Sequence, residues 1–337
     1  MEVTACLLLA DAIGLIRTSM RHLILIIIGF TLFPITHVNS WGFFAHKTIN
    51  RAAIFTLPPE MFGFYKNNAA LIEALAVNAD KRRYIMEEEA PRHYLDADFY
   101  EKHVPIDTIP RNYDSAVARY GLDTILAHGI VPWHIIRVKW WLTKAFATHD
   151  VEAIVKLSAD LGHYVGDLHV PLHSTHNYNG QLTNQHGIHG FWESRLPELF
   201  ADDYDLFLGR ARYIKDLSEE VWTRFEQSYA AKDSVLKLER IVGASIKEDK
   251  KYSYEQRGQS TVKTYSYQYS NLYHQALNDM VEKRLRASIE FVGSIWFTAW
   301  VDAGQPDLDT IGVTDLNIEA TDSLKPNQPI KGRLEPN

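Results

Sequence analysis

Cysteine is almost absent from this sequence: among 337 residues the only one is Cys6. Basic residues are not in excess either, because the formal net charge is -7 and the isoelectric point is about 6.1. We therefore expect no stable binding to duplex DNA, although this charge does not exclude an enzyme that captures one phosphate at a time.

Long hydrophobic runs are also lacking. The longest, from Leu23 to Phe33, is shorter than the ~20 residues that span a bilayer, and it follows the basic Arg21. This arrangement predicts a signal peptide over residues 1–40, in which residues 1–19 are an upstream extension, with cleavage between Ser40 and Trp41. The mature protein would then be exported without any cysteine or disulfide, and bound metal is one candidate source of its stability.

Strand patterns are scarce, whereas apolar residues recur at helical spacing along most of the chain. The sequence therefore predicts an all-α, mostly helical single domain over residues 41–303, followed by a flexible tail over residues 304–337. We interpret the large residues of the 133–148 helix, among them Trp140 and Trp141, as core packing. The polar, tyrosine-rich residues 252–273 are predicted to form a long loop. Besides a helix that follows His46, the predicted helices cover residues 67–80, 115–128, 133–148, 151–165, 217–227, 231–245 and 270–301.

Histidines and carboxylates are concentrated between residues 163 and 193. His163 and Asp167 are four residues apart, as are His189 and Glu193, so each pair would project from one face of a helix. His173 follows Pro171, which ends the first of these helices and turns another imidazole towards it. Metal chemistry uses such spacings, and ordinary packing does not need them.

Two further pairs lie nearer the N-terminus. Asp80 and His93 flank a short basic loop that contains Arg83, and they could supply two ligands and a phosphate-binding cation. The alternative is a solvated surface, which we favour for Lys81, Arg82 and the glutamates 87–89. Cleavage before Trp41 would expose an amine that can bind zinc together with His46, unless Trp41 is only a core residue and His46 a surface residue.

These residues form a ligand set without sulfur. Nitrogen and oxygen ligands suit catalytic zinc better than structural zinc, and nine ligands shared over three ions leave positions for water and substrate. The other histidines, including His128 and His176, lack comparable spacing, and we assign them no metal. The nine candidates are Trp41, His46, Asp80, His93, His163, Asp167, His173, His189 and Glu193.

Together these motifs resemble a superfamily of trinuclear zinc phosphoesterases, which contains the bacterial zinc-dependent phospholipases C and the fungal and plant bifunctional nucleases. The resemblance spans residues 41–200 through the N-terminal Trp41 with His46, the Asp80 and His93 pair, and the motifs HYVGDLHVPLH and HGFWE. It implies an all-α domain with a trinuclear zinc cleft between its helices.

The resemblance also implies how the ligands are shared. One zinc ion would be held by Asp80, His93, His163 and Asp167, and a second by His173, His189 and Glu193. The third would be held by the amine and carbonyl of Trp41, by His46 and by Asp167, which bridges two ions.

The branch of the superfamily remains open. Glu193 as the last ligand and the lack of cysteine are similar to the phospholipases. Arg83, the run His93-Tyr94-Leu95-Asp96 and Trp192 are similar to the nucleases, and Phe44 stands where a phospholipase has an acidic residue. We favour a nuclease or 3'-nucleotidase of single-stranded nucleic acid over a phospholipase C that acts on phospholipid head groups.

The resemblance implies in-line hydrolysis at phosphorus by a metal-activated water. Asp80 would orient or deprotonate the water, Arg83 would stabilise the transition-state charge, and Tyr94 and Asp96 would bind the base of the substrate. The alternative is that Tyr94 and Asp96 have structural roles only, through ordinary packing and as a cap on the next turn. We expect a monomer, and an exported binding protein that uses zinc only for folding is the remaining alternative.

Overall fold

The all-α prediction is confirmed: apart from one pair of strands, the regular elements of the described part of the chain are helical. The structure is a computed structural model that describes residues 42–101, 106–258 and 260–310. The predicted signal peptide, Trp41 and the predicted tail beyond residue 310 lie outside the described residues.

The helices and strands run in the following order. They are α1 (Gly42–Ile54), α2 (Pro59–Asn67), α3 (Ala69–Leu75), α4 (Asn78–Arg82), α5 (Ala97–Glu101), α6 (Tyr113–Tyr120), α7 (Leu122–His128), α8 (Val131–Ala147), α9 (Val151–His169), α10 (Ile188–Gly190), α11 (Leu196–Phe200), α12 (Leu217–Ser245), β1 (Tyr252–Arg257), β2 (Ser260–Tyr265), α13 (Tyr267–Ala276) and α14 (Met280–Asp302). Short 3-10 turns cover Glu87–His93, Ile106–Thr108, Pro171–Ser174, Ala201–Asp203, Glu248–Lys250 and Leu308–Thr310, and a π-helical turn covers Phe191–Arg195.

Residues 255–262, at the tip of the β-hairpin, do not belong to the main helical unit. The other described residues belong to one helical unit, which holds all the helices. Among the described helices, none combines the length and the apolar character that crossing a membrane requires.

Helix α9 is the element around which the helical unit is packed, because α8, α14, α1 and α3 all contact it. It begins at Asp150, whose side chain accepts a hydrogen bond from the Ala153 N–H at 3.0 Å. It ends before Pro171, which has no N–H to continue the helix. From Ser158 onwards every residue of α9 except Asp160 is buried. Side chains on this part of α9 are therefore held rigidly.

Three of the predicted helices are interrupted. The predicted 115–128 helix is split at Gly121, whose φ is 84°. The predicted 67–80 helix is split between Leu75 and Asn78. The predicted 270–301 helix breaks at Asn278 and Asp279, which have φ values of 48° and 60°. Glycine, asparagine and aspartate enter this left-handed region most readily, so local backbone preference overrides the apolar pattern at Gly121 and at Asn278 and Asp279. The break between Leu75 and Asn78 contains no residue with a positive φ.

Two other predictions were wrong because the structure has more regular secondary structure than was predicted. The predicted helices 217–227 and 231–245 are one continuous helix, α12. The polar Ser228 between them is buried, and its hydroxyl donates to the Leu168 carbonyl at 2.5 Å, so α9 supplies a partner for it. The predicted loop over 252–273 contains the two strands and the start of α13. Its tyrosines and threonines are typical of strands, whereas its polarity suggested a loop.

The close contact between α1 and α9 depends on Gly162. A Cβ atom at this position would lie 1.6 Å from Asn50 Oδ1, and Asn50 donates from Nδ2 to the Ala159 carbonyl at 3.1 Å. We expect Gly162→Ala to lower the free energy of unfolding by about 1–3 kcal/mol, because overpacking outweighs the ~1 kcal/mol that alanine gains in helix propensity. Urea denaturation at fixed metal concentration measures this.

The matched control is Gly209→Ala, since a Cβ at Gly209 would meet no atom within 4 Å. This variant should change the unfolding free energy by less than about 0.5 kcal/mol. If the two variants had the same free energy of unfolding, α1 and α9 would be able to move apart and accommodate the extra methyl group without loss of stability.

Candidate metal centre

Helix α9 and the elements around it bring eight of the nine predicted ligands together, and the ninth, Trp41, lies outside the described residues. The eight side chains come from six places in the chain: His46 from α1, Asp80 from α4, His93 from the 3-10 turn before Tyr94, His163 and Asp167 from α9, His173 from the turn after Pro171, and His189 and Glu193 from α10 and the π-helical turn.

The first group consists of His93, His163 and Asp167. Asp167 Oδ2 lies 2.9 Å from His93 Nδ1 and 3.3 Å from His163 Nε2, and the two ring nitrogens are 3.1 Å apart. Asp80 Oδ1 lies 3.7 Å and 3.6 Å from the same two nitrogens. The predicted four-residue pairing of His163 with Asp167 is therefore confirmed, and four ligand atoms converge on a space that a cation could fill.

The second group consists of His173, His189 and Glu193. Glu193 Oε2 lies 2.6 Å from His189 Nε2 and 3.2 Å from His173 Nε2. The predicted pairing of His189 with Glu193 is confirmed, although a π-helical turn, and not a regular α-helix, carries the carboxylate. This second group is joined to the first through Asp167, whose Oδ1 lies 4.0 Å from His173 Nε2.

The third group contains His46, Asp167 and Glu193. His46 Nε2 lies 3.4 Å from Asp167 Oδ1 and 3.6 Å from Glu193 Oε1, and the His46 ring stacks on His163 at 3.9 Å. A Cβ atom at Gly166 would lie 2.9 Å from His46 Nδ1, so the missing side chain at Gly166 leaves space for this ring. Asp167 is thus shared by the first and third groups, and Glu193 by the second and third.

Hydrogen bonds outside the centre orient two of the imidazoles towards it. His163 Nδ1 bonds to the Ala76 carbonyl at 2.8 Å, and His173 Nδ1 bonds to the His93 carbonyl at 2.6 Å. Because a carbonyl only accepts, each Nδ1 carries the proton, and in the neutral imidazole Nε2 presents its lone pair to the centre. Such outer hydrogen bonds are typical of histidines that bind metal.

Charge in the centre is balanced between carboxylates and imidazoles. Burial alone would raise the pKa of the Asp167 carboxyl, but His163 and His173 hold that pKa well below its usual value. In the same way His173 and His189 lower the pKa of Glu193 against the effect of burial. Burial would lower the pKa of His163, but Asp167 and Asp80 raise it. The carboxylates are therefore ionised and available to a cation.

Glu89 is a site residue that the sequence interpretation missed. It was assigned to a solvated surface together with Arg82, yet its exposure is 0%. Arg92 Nη1 and Arg82 Nε lie 2.6 Å and 3.2 Å from Glu89 Oε2, and the Tyr164 hydroxyl donates to Oε1. Glu89 Oε1 also lies 3.7 Å from His93 Nε2, on the side of the ring away from the centre. The four-residue spacing between Glu89 and His93 is the signal that could have identified it.

Arg83 lies beside the centre, as the sequence predicted. Its side chain is buried, and its Nη1 is 3.8 Å from Asp80 Oδ1. Arg82 points elsewhere: its Nη2 lies 3.0 Å from Asp160 Oδ2. Of the two neighbouring arginines, the structure therefore places only Arg83 against a candidate ligand of the centre.

A cavity of about 660 Å³ is lined by Tyr94, which directly follows the candidate ligand His93, and by Asp96, whereas none of the eight candidate ligands lines it. Asp96 Oδ2 is 3.6 Å from His128 Nδ1 and 3.6 Å from His176 Nδ1. Tyr178, which also lines the cavity, lies 6.2 Å, ring to ring, from the candidate ligand His189. The cavity lining residues are Glu87, Glu88, Ala90, Pro91, Tyr94, Asp96, Leu126, Ala127, His128, His176 and Tyr178.

The buried histidines and carboxylates could hold metal ions, since the atoms of each group lie within 4.8 Å of one another. Size, charge and donor type all fit a divalent cation that accepts nitrogen and oxygen ligands. No family model matches this chain, and no curated protein matches it significantly.

Proposed function

We propose that this protein is an exported zinc-dependent hydrolase of phosphodiesters that acts on single-stranded nucleic acid or nucleotides. The observation that carries the proposal is the sharing of Asp167 and Glu193 among three buried ligand groups, next to a cavity that can accept a small molecule. Cavities of roughly 300–1,000 Å³ are typical of small-molecule sites.

Three zinc ions are the proposed cofactor. His93, His163, Asp167 and Asp80 would hold one ion, and the group of His173, His189 and Glu193 a second. His46 and Asp167 would hold the third together with the amine of Trp41. When bound, such ions stabilise the charge of a phosphate and lower the pKa of water.

The side chains of the chain itself would position the reactants. Asp80 remains partly open to solvent, with 17% of its side chain exposed, whereas His163 and Asp167 are closed off. Its carboxylate is therefore the group best placed to orient an attacking water and to take its proton. Arg83 beside it would stabilise negative charge on the phosphoryl oxygens.

The cavity favours a nucleotide. Tyr94 and Tyr178 offer aromatic rings to a base, and Asp96 offers carboxylate oxygens that can accept hydrogen bonds from the amines of a base. Tyr94 directly follows the candidate ligand His93, and the Tyr178 ring lies 6.2 Å from that of the candidate ligand His189, so two residues of the cavity wall are neighbours of the centre.

A phospholipase C is the second candidate, and the charge of the same cavity favours it. Glu87, Glu88 and Asp96 surround the aromatic rings of Tyr94 and Tyr178, and such a site also suits the quaternary ammonium of a choline head group.

Metal analysis of the processed protein, with parallel assays on single-stranded DNA, RNA, 3'-nucleotides and phosphatidylcholine, tests the proposal. We expect about three zinc ions per chain and turnover of nucleic acid, with Asp96→Asn raising KM more than it lowers kcat. Turnover of phosphatidylcholine alone would establish the second candidate. Bound zinc with no turnover of any substrate, including bis-p-nitrophenyl phosphate, would indicate a binding protein that uses zinc for folding.

The N-terminus provides a separate prediction. A protein that begins at Trp41 should be active, and one with a methionine before Trp41 should lose about tenfold or more in kcat/KM, because the amine of Trp41 would then be part of a peptide bond and could not bind the third ion. The same chains compared for zinc content should differ by about one ion. Equal activity and equal zinc content would refute the role of the amine, and a methionine inserted after residue 310 is the matched control.

A further inference from the structure

The solvent face of α8 carries two tryptophans that the sequence interpretation had assigned to the core. Trp140 is 52% exposed and Trp141 38% exposed, whereas Trp133 and Leu142 of the same helix are buried. Two cations share this face, because Arg137 and Lys144 are also exposed. Positions 137, 140, 141 and 144 form one stripe along a helix. We call Arg137, Trp140, Trp141 and Lys144 the basic-aromatic stripe.

The two cations of the stripe are held against aromatic rings and not against carboxylates. Lys144 Nζ lies 3.8 Å from the centre of the Trp140 ring, and the Arg137 guanidinium lies 4.9 Å from the centre of the Tyr113 ring. Within the described part of the chain neither cation forms an ion pair, in contrast to Lys139 of the same helix, which pairs with Asp302. The stripe therefore offers positive charge and exposed rings together.

Helix α8 leads from the candidate site to the stripe. At its start the N–H of Ile130 bonds to the Pro91 carbonyl at 2.6 Å, and that of Val131 to the Tyr94 carbonyl at 3.1 Å. Pro91 and Tyr94 line the cavity. At 1.5 Å per residue, the stripe lies about 9–20 Å along the helix axis from Val131.

A series of neighbouring aromatic rings inside the protein also connects the stripe with the candidate centre. Trp141, His134, Tyr164 and His93 follow one another with ring-to-ring distances of 6.2, 4.6 and 5.5 Å. Only Trp141 in this series is exposed, and His93 is a candidate ligand. The stripe is therefore separated from the centre by two buried rings.

We infer that the basic-aromatic stripe is a second binding site, which holds a single-stranded polynucleotide by stacking bases on Trp140 and Trp141 and pairing phosphates with Arg137 and Lys144. This inference rests on the proposed function and extends it from nucleotides to polymers. In the stripe the two rings stand between the two cations, so two bases stacked on the rings would have backbone phosphates on both sides within reach of a cation. A membrane-bound helix instead presents a whole apolar face to lipid, and the apolar face of α8 lies in the core.

Fluorescence anisotropy of a labelled, phosphorothioate-linked single-stranded dodecamer with the zinc-loaded protein tests the stripe. Trp140→Ala/Trp141→Ala should weaken the Kd at least about tenfold, since stacking on one ring alone accounts for roughly five- to hundredfold. Trp140→Phe/Trp141→Phe should restore most of the affinity. Phe207→Ala, which removes a ring that is 84% exposed elsewhere, should leave it unchanged.

The charge of the stripe has its own measurement. Arg137→Gln/Lys144→Gln should reduce the slope of log K against log salt concentration by about 1.4. Each phosphate contact on a single strand contributes about 0.7 to this slope, and the variant loses two contacts. All variants should hydrolyse bis-p-nitrophenyl phosphate within about twofold of the wild type.

Two outcomes would overturn the inference. One is unchanged dodecamer affinity in the double alanine variant, and the other is a loss confined to binding of phosphatidylserine vesicles. If the wild type hydrolyses no phosphodiester, the proposed function fails, but the anisotropy measurement still decides whether the stripe binds single strands.

Discussion

Replacing Asp167 with alanine is expected to lower the kcat/KM for phosphodiesters by about 10³-fold or more. Asp167 contacts His93, His163 and His46, so it is shared by two of the three ligand groups. Metal ions contribute several kcal/mol of transition-state stabilisation, and a variant that binds fewer of them loses much of this. Steady-state kinetics with a chromogenic diester, combined with zinc analysis, measures both effects.

The matched control is Glu152→Ala, which removes an exposed carboxylate from the first turn of the same helix. This variant should retain the activity and the zinc of the wild type. An Asp167→Ala protein with undiminished turnover would remove the basis of the proposed function, because no other described carboxylate is shared by the first and third groups.

The second large effect concerns stability. Removal of zinc with a chelator should lower Tm by about 10 °C for each ion lost. An ion present at about a thousand times its Kd stabilises the folded chain by about 4 kcal/mol, and for a domain of this size each kcal/mol corresponds to about 2–4 °C. The effect should be large because seven buried ligands and the partly exposed Asp80, which come from six segments, lose the cations that join them.

Differential scanning calorimetry before and after chelation measures this shift. Zinc should restore Tm, whereas magnesium should not, since magnesium prefers oxygen ligands and the centre is rich in imidazole. The Asp167→Ala protein should respond less to the chelator than the wild type. A verified metal-free protein with unchanged Tm would contradict a stabilising role of the metal.

The ligand pairs were predictable because their chemistry is local. The four-residue spacings of His163 with Asp167 and of His189 with Glu193 fix each pair on one face of a helical turn, whatever packs around it. The all-α class follows in the same way from apolar residues at helical spacing. The family resemblance implied that the separate motifs come together at one site. The four-residue spacings within each motif did not require this.

The burial of individual side chains was less predictable because it depends on residues that are distant in sequence. Glu89 belongs to an acidic run that resembles a solvated surface, and its contacts with Arg82, Arg92, Tyr164 and His93 make its burial possible. The opposite error concerns Trp140 and Trp141, which are exposed although Val138 and Leu142 of the same helix are buried. Composition does not show which side of an apolar helix lacks a packing partner.

Backbone breaks were also missed. Asn278 and Asp279 continue the polarity of a helical surface, but their left-handed conformations separate α13 from α14. These breaks moved no candidate ligand, since the candidate ligands within the described residues lie on α1, α4, α9, α10 and three turns. The fold class and the ligand set could thus be predicted better than the segments beyond residue 200.

The shared carboxylates make metal loading a linkage problem. Ions in adjacent groups would divide the oxygens of Asp167 and of Glu193 between them. The occupancy of one group then changes the affinity of the next, and thermodynamic reciprocity requires the second ion to change the affinity of the first by the same factor. A titration of the metal-free protein should therefore not fit independent, identical sites. When Asp167 and Glu193 are both replaced, the coupling free energy between the sites should fall to zero.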